Sequence, residues 1–316
     1  MQSEILQSYL RAIGKLNRAT INGIKAPHKP LLLLSIVQSI GCGEITDNQI
    51  RITPRLVARF KDNWNLLVNE EFFTPNFALP FYHLSKEKNS FWHLQTYPGK
   101  EILLTSSLSI RSFAQLREAV AYSFLDEPLF ALLQHSESRD IIYHFLLQRY
   151  FNNAVPFKTQ ASLFEEIADQ ILHEPAAIYQ QQVENADEEE IFIRSGVFKK
   201  IVPQIYNYAC CITGMRINSG YDIQMVDACH IVPFAISHND TITNGISLCP
   251  NLHRAFDRGL VTIDSDYRVL VSNSFTESAD TGIRKYQGKL VLLPSDSAYY
   301  PSIQNLYWHR ETIFKK

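Results

Sequence analysis

The sequence predicts an α+β protein in three parts, and the distribution of apolar residues carries this prediction. Apolar residues recur with a helical period through much of the first 193 residues, with a few strand-like runs among them. Short apolar runs broken by Gly and Asn follow Tyr208. We therefore expect a mixed helix and strand recognition domain over residues 1–123, a helical acidic connector over 124–193 and a domain with short strands over 194–316.

Charge follows the same division. Residues 1–123 hold 14 Lys and Arg against 9 Asp and Glu, residues 124–193 hold 3 against 13, and residues 194–316 hold 13 against 10. Two basic blocks therefore flank an acidic one, a pattern compatible with nucleic-acid binding although the whole chain has a net charge of −2. Solvated helix faces explain the acidic block equally well.

The individual elements are predicted from local patterns. Helices are expected over residues 3–17, from Pro30 through the apolar run that follows it, and from Thr53 to about Leu67. A hairpin is expected over residues 80–94, "PFYHLSKEKNSFWHL", because two aromatic runs flank a polar, turn-prone segment. Further helices are expected in "AQLREAVAYSFL" (114–125), "DIIYHFLLQRYF" (140–151), "ASLFEEIADQILHEP" (161–175) and from Arg194 to Tyr208.

A polar stretch in the last part has the residue types of a hydrolytic site. The spacing of His253 and Asp257 places both side chains on one helix face, where they could hold a divalent ion, and Gly259 is expected to end that helix. Phosphodiester hydrolysis needs a base that activates water and a cation that stabilises charge. His230 is the candidate base, and Asn244 is expected to orient its ring through a hydrogen bond.

This stretch resembles the HNH endonucleases, whose ββα-metal fold carries a His, an Asn and a His in this order. The resemblance covers Cys211 to about Val271 through "CITG", "DACHIVPF" and "NGISLCPNLHRAFDRGLVTID". It implies that His230 is the general base, Asn244 the supporting residue, and His253 and Asp257 metal ligands. It also implies a divalent cofactor such as Mg²⁺ or Mn²⁺.

The sequence departs from this family directly before His230. Many members have an acidic residue or a histidine there as a further ligand, whereas this chain has Cys229. Asp227 is the further candidate ligand, since it shares a strand face with Cys229, and whether it reaches the metal is open. Cys229 as a ligand would suit a softer metal, although such a cysteine more often fills a buried gap. Two Cys-x-x-Cys pairs are missing, so no structural zinc is expected.

The first part resembles the sulfur-binding domains of modification-dependent restriction enzymes that cut phosphorothioated DNA. The resemblance covers about residues 20–100, through "APHKPLLLLSIV", "LPFYHL" and "FWHL". It implies a basic rim and an apolar cup for the sulfur, at His28, Lys29, Leu79 and Pro80. Lys29 replaces an Arg and loses its two-pronged geometry, and Leu79 replaces a Tyr and loses its hydroxyl. The alternative is a capped core helix followed by a core strand.

The sequence therefore predicts a metal-dependent endonuclease that reads a mark in double-stranded DNA, such as a phosphorothioate, and cuts nearby. A homodimer is expected because one centre cuts one strand. The alternative is a nuclease effector of an anti-phage or toxin-like system, in which residues 1–190 sense a ligand or a protein. A third alternative, a DNA-binding module with a relic HNH fold, is disfavoured by the intact His230, Asn244, His253 and Asp257.

The expected location is the cytoplasm, with no membrane partner. The apolar run from Pro30 is too short to span a bilayer, and the first residues lack the order of a signal peptide. Five irregularly spaced cysteines suit a reducing compartment better than a set of disulfides.

Overall fold

The computed structural model describes residues 2–88, 90–100, 110, 112–151, 162–217, 223–278 and 282–316. They form two compact units: unit 1 is Met1–Phe164 with Glu188–Glu190, and unit 2 is Glu165–Asp187 with Ile191–Lys316. Helices predominate, and each sheet among the described residues has two strands, so the predicted mixture of helix and strand is confirmed. Within these residues, no helix has the length and apolar content needed to cross a bilayer.

Unit 1 contains most of the helices. They are α1 (Gln2–Ile13), α2 (His28–Gly41), α3 (Pro54–Leu67), α4 (Ala78–His83), α5 (Phe113–Ala119), α6 (Glu127–Gln134) and α7 (Ser136–Tyr150). The strands are β1 (Thr20–Ile21) paired with β2 (Ile24–Lys25), and β3 (Trp92–Thr96) paired with β4 (Val120–Leu125), both antiparallel.

Helix α2 is the centre of unit 1. Its sequence is apolar on every side, so it is buried almost throughout and contacts α3, α4, α6 and α7. Helix α3 begins as predicted, because the Thr53 side chain accepts a hydrogen bond from the Leu56 backbone N–H and Pro54 occupies the first turn. The start of α2 packs on α3, since the centroid of the His28 ring lies 4.7 Å from that of the Trp64 ring.

The predicted hairpin over residues 80–94 is wrong. Its first half is helical, as α4 and a 3₁₀ turn over Leu84–Lys86. The strand β3 pairs instead with β4, which sequence patterns had placed in the helix over 114–125. The reason is tertiary, because the Trp92 indole packs on Phe81 and donates a hydrogen bond to the Phe81 carbonyl oxygen at 2.9 Å. The aromatic residues whose pattern suggested two paired strands instead pack against one another in the core.

Unit 2 contains α8 (Leu163–His173, from residue 165), α9 (Ala176–Glu184), α10 (Glu188–Ile205, from residue 191), α11 (Phe234–Ser237), α12 (Pro250–Asp257) and α13 (Ile303–Thr312). The strand β5 (Asp227–His230) pairs with β6 (Gly245–Leu248), and β7 (Val261–Ile263) with β8 (Val269–Val271). The helices predicted within 140–151 and 161–175 and near 194–208 are confirmed, although residue 161 lies outside the described residues. The functional boundaries at residues 123 and 193 stay predictions.

Candidate active site

The predicted site residues of unit 2 lie on β5, on the 3₁₀ turn Ile242–Asn244 that leads into β6, and on α12. In the antiparallel pair, Cys229 lies opposite Ile246 and His230 opposite Gly245, and α12 follows β6 directly. Helix α10 crosses so closely over β6 that a Cβ on Gly245 would lie 2.7 Å from Val202. Glycine is therefore needed at position 245 for close packing, and not for a turn.

Helix α12 ends where the sequence predicts. The Leu260 N–H donates to the Ala255 carbonyl and the Gly259 N–H to the Phe256 carbonyl, each at 2.9 Å, and Gly259 has a φ of 71°. A Cβ on Gly259 would lie 2.0 Å from the Ile313 carbonyl oxygen. The prediction of Gly259 as the helix terminator is confirmed. The C-terminal segment also leaves no space for a side chain at this position.

The acidic and imidazole groups of β5 and α12 form a continuous chain. Asp227 Oδ2 lies 3.4 Å from His253 Nδ1, and His253 Nε2 lies 3.6 Å from Asp257 Oδ2. The Cys229 thiol lies 3.9 Å from Asp257 Oδ1. The i, i+4 spacing on α12 thus brings His253 and Asp257 to one face, as predicted, and the alternate residues of β5 face them.

Three of these residues fit a divalent metal. One ligand atom each of Cys229, His253 and Asp257 lies within 4.8 Å of the others. Burial, followed by the Asp257 carboxylate, raises the pKa of the buried Cys229 thiol well above its usual value. A cation would offset the repulsion between a thiolate and a carboxylate in this cluster, so its donor chemistry suits a metal. Asp227 lies outside this group of three and contacts the other ring nitrogen of His253.

The His230 ring is held by an aspartate that the sequence did not point to. Nε2 of His230 lies 2.6 Å from Asp240 Oδ1, and the ring stacks on Phe198 with centroids 4.0 Å apart. Asp240 is 1% exposed. A carboxylate only accepts hydrogen bonds, so Nε2 carries the hydrogen and Nδ1 of the neutral ring is the nitrogen that can take a proton.

Asn244 does not make the hydrogen bond expected from the sequence. Its Nδ2 donates to the carbonyl oxygens of Val232 and Asn239 at 2.9 Å, and its Oδ1 accepts from the Val232 N–H at 2.9 Å and from Asn305 Nδ2 at 3.1 Å. Asn244 is fully buried and satisfies backbone groups of the loop after His230. It therefore supports the position of His230 through the backbone and makes no bond to the ring.

The base candidate His230 and two of the ligand candidates, His253 and Asp257, line one cavity of about 310 Å³. The lining residues are His230, Ile231, Pro233, Phe234, His253, Asp257, His309 and Ile313. A group bound in this cavity can therefore contact the His230 ring and the His253–Asp257 pair together.

His309 is a second residue that sequence patterns missed. It lies on α13, is buried, and stacks on Phe256 of α12 with centroids 3.7 Å apart. Its Nε2 donates to the Phe256 carbonyl oxygen at 3.1 Å, and the Thr262 hydroxyl donates to its Nδ1 at 2.8 Å. Burial lowers the pKa of His309 to about 4, so the ring is neutral and braces the metal-site helix.

The four residues predicted to bind modified DNA also come together, in unit 1. His28, Lys29, Leu79 and Pro80 line a cavity of about 560 Å³. The other lining residues are Asn17, Arg18, Ala19, Ile21, Ala26, Phe73, His83 and Lys86. The cavity thus has an apolar wall with basic groups that the sequence did not single out, on the turn before β1 and at the end of α4.

Lys29 differs from its expected role as an open rim cation. Its ammonium group pairs with Glu87 and donates to the Asn17 carbonyl oxygen at 2.9 Å. His28 Nε2 lies 2.9 Å from the Thr74 carbonyl oxygen, and burial lowers the pKa of His28. Burial, then Lys29 and Lys86, lower the pKa of His83. Both imidazoles are therefore disposed to be neutral at neutral pH, and the positive charge of the cavity comes from Arg18 and Lys86, because Glu87 balances the charge of Lys29.

Comparisons with known proteins identify the C-terminal part. Residues 210–264 match the family model of the HNH endonucleases, and no curated protein matches the sequence. Among solved structures, the modification-dependent TagI restriction endonuclease is similar at 22% sequence identity with a TM-score of 0.28, over 37% of this chain and 37% of that chain. This chain therefore spans little more than a third of that protein's length. Residues 210–264, which contain His230, Asn244, His253 and Asp257, are therefore an HNH endonuclease domain.

Proposed function

We propose that the protein is a metal-dependent DNA endonuclease in which His230 activates the attacking water. The observation that carries this proposal is the shared cavity: the His230 ring and the His253–Asp257 pair line one space of about 310 Å³. The base must reach the attacking water while the cation reaches the scissile phosphate. Groups that line one cavity can do both at the same phosphate.

The residues around His230 prepare it for this role. The carboxylate of Asp240 accepts the Nε2 hydrogen and so leaves Nδ1 to take the proton of water. Phe198 holds the plane of the ring, and Asn244 holds the loop that carries Asp240. A base with a fixed tautomer and a fixed orientation needs little rearrangement during the reaction.

Cys229, His253 and Asp257 are the residues that would hold the metal. A divalent cation at this position supplies charge stabilisation for the scissile phosphate and the leaving oxygen. Asp227, on the other nitrogen of His253, would orient that imidazole. Mg²⁺ and Mn²⁺ remain the proposed cofactors if the carboxylate dominates, whereas a thiolate from Cys229 would favour Zn²⁺ or Co²⁺.

Unit 1 is proposed to select the substrate, by reading double-stranded DNA with a modified, for example phosphorothioated, backbone. The support is the convergence of His28, Lys29, Leu79 and Pro80 on one cavity with an apolar wall. Sulfur is larger and less well hydrated than oxygen, so an apolar wall beside cations would favour it. A homodimer is proposed for a double-strand break, because each centre cuts one strand.

A second candidate is a nuclease whose unit 1 senses a small anionic ligand. The observation that favours it is size: about 560 Å³ is within the range of ligand pockets and much larger than one sulfur atom. Binding of duplex DNA to unit 1 distinguishes the two candidates. Tight, salt-sensitive binding to duplexes supports the first, and its absence supports the second.

The test compares cleavage of phosphorothioated, methylated and bare plasmids with Mg²⁺ or Mn²⁺. We expect cleavage by the parent protein and a loss of roughly 10² to 10⁴-fold in His230→Ala, the usual contribution of a general base. His173→Ala is the matched control, because His173 is an exposed histidine of unit 2 paired with Asp169. Equal rates for His230→Ala and the parent would contradict the proposal, as would no cleavage of any plasmid.

A further inference from the structure

The hairpin of β1 and β2 stands apart in unit 1. Among the described residues, these strands pair only with each other. Asn22 and Gly23 join them, both with positive φ, 51° and 80°, which matches the tight turn that suits a twisted two-stranded ribbon. A Cβ on Gly23 would meet no atom within 4 Å. The tip of the hairpin therefore projects from the rest of unit 1.

Two isoleucines lie at this tip. Ile21 and Ile24 are directly paired across the strands and are 44% and 41% exposed. An isolated two-stranded hairpin is at best marginally stable in water, and two exposed isoleucines beside the turn add little to its stability. Ile21 also lines the unit 1 cavity with Phe73, Leu79 and Pro80, so the apolar surface extends from the tip into the cavity, as at a surface that contacts a partner.

The surroundings of the hairpin indicate the charge of that partner. Arg18 precedes β1, Lys25 ends β2, and Lys86 lies across the unit 1 cavity, with Glu87 engaged by Lys29. The base of the hairpin is closed by the Ala26 N–H, which donates to the Ala19 carbonyl at 2.8 Å. The partner must therefore combine negative charge with apolar surface.

The hairpin and the cavity form one surface. Ala19, Ile21 and Ala26 line the cavity together with His28 and Lys29 of α2. The hairpin joins α2 through two residues, Ala26 and Pro27, and the fixed φ of Pro restricts the movement of one relative to the other. A polymer that places a phosphate in the cavity must therefore also pass the hairpin.

We infer that the hairpin Thr20–Lys25 enters the major groove of a DNA duplex, with Ile21 and Ile24 against base edges and Arg18 and Lys25 on the flanking phosphates. The inference rests on the proposed binding of DNA by unit 1. A two-stranded ribbon fits the major groove, which is about 12 Å wide. Apolar side chains there contact the methyl groups of thymine, and basic groups contact the backbone.

The test measures binding of the full chain to a labelled duplex by fluorescence anisotropy at several salt concentrations, without divalent metal so that no cleavage occurs. Ile21→Ser/Ile24→Ser is expected to bind at least about tenfold more weakly, with the same salt dependence, because no charge is removed. Lys25→Gln is expected to reduce the salt slope by about 1. The apolar and the ionic contributions of the hairpin are thereby measured separately.

Two control variants keep the test decisive. Ile5→Ser/Ile141→Ser removes isoleucines of similar exposure, 37% and 42%, from helices of the same unit, and should bind like the parent. Ile21→Val/Ile24→Val keeps an apolar tip and should restore most of the affinity. Parent-like binding by the serine pair at the tip overturns the hairpin inference alone. No duplex binding by the parent protein overturns both this inference and the proposed DNA recognition by unit 1.

Discussion

The unit 2 cavity beside His230 and the unit 1 cavity beside Lys29 differ in the residues that line them. In unit 2, a space of about 310 Å³ is lined by three imidazoles and a carboxylate beside four apolar residues, and the His230 ring is held by Asp240 at 2.6 Å. In unit 1, a space of about 560 Å³ has a wall of Ile21, Phe73, Leu79 and Pro80, with cations at its rim. Hydrolysis needs a few groups in fixed positions, whereas recognition of a polymer needs area and charge.

The difference extends to how each cavity is braced. In unit 2, α13 fixes α12 through a buried imidazole, and Asn244 makes three hydrogen bonds to the loop after His230 and a fourth to Asn305 of α13. In unit 1, the residues beside the cavity are held by the ion pair of Lys29 with Glu87 and by single hydrogen bonds from Lys29 and His28 to backbone carbonyls. We therefore expect unit 2 to respond sharply to small chemical changes and unit 1 to respond gradually.

The largest effect is expected at Asp240. In Asp240→Asn the amide can donate to Nε2 of His230, which would place the hydrogen on Nδ1, the nitrogen that must accept it. The rate of cleavage at saturating DNA should fall by about 10²-fold, as for a misplaced catalytic group, while DNA affinity stays within twofold. Asp169→Asn, on an exposed aspartate of unit 2, is the control. Equal losses of rate and affinity would mean that Asp240 only stabilises the fold.

Acid should weaken the bracing of unit 2 next. The pKa of folded His309 is lowered to about 4, below its unfolded value near 6.5, so the unfolded chain binds the proton first as pH falls. Stability is therefore lost between about pH 6.5 and 4, by up to about 3 kcal/mol from this group. Urea unfolding of the full chain at several pH values measures this loss. His309→Gln should show a smaller loss over the same window, and an unchanged pH dependence would contradict the assignment.

A spectroscopic test addresses the metal residues of unit 2. If Cys229 is a ligand, Co²⁺ should give a sulfur-to-metal absorption band that disappears in Cys229→Ser. The affinity for Co²⁺ should fall by about tenfold or more, equivalent to roughly 1.4 kcal/mol. Cys42→Ser is the control, because Cys42 is an exposed free cysteine of unit 1. No such band in the parent protein would leave His253 and Asp257 as the ligands, with Cys229 as a packing residue, and a band that persists in Cys229→Ser would mean that another thiol binds the Co²⁺.

The smallest effect is expected from Glu87 in unit 1, and its direction is a gain. Glu87→Gln removes the charge that balances Lys29 but keeps an acceptor for the Asn17 N–H. Duplex DNA should therefore bind about threefold more tightly, as expected for one partly exposed ion pair, and the gain should shrink at high salt. Glu118→Gln, which removes an exposed ion pair with Lys100, should leave binding unchanged. Weaker binding by Glu87→Gln would mean that this pair holds the cavity in shape.

The sequence by itself determined the features that depend on near neighbours in the chain. The run of leucines after Pro30 forms a buried helix, Thr53 caps α3, and the spacing of four brings His253 and Asp257 together before Gly259 ends the helix. Helical periodicity, helix capping and a glycine with positive φ depend on residues within one or two helical turns. A local sequence pattern is therefore enough to predict them.

Only the tertiary structure decided which distant groups meet. Four such contacts, Asp240 on Nε2 of His230, His309 on Phe256, Glu87 on Lys29 and the pairing of β3 with β4, join residues from 10 to 58 positions apart. None of these contacts produces a periodic pattern in the sequence. Each is selected by burial and by the need to pair polar groups once distant parts of the chain have come together. The chemistry of this protein was therefore visible in the order of its residues, and the supports of that chemistry only in how they pack.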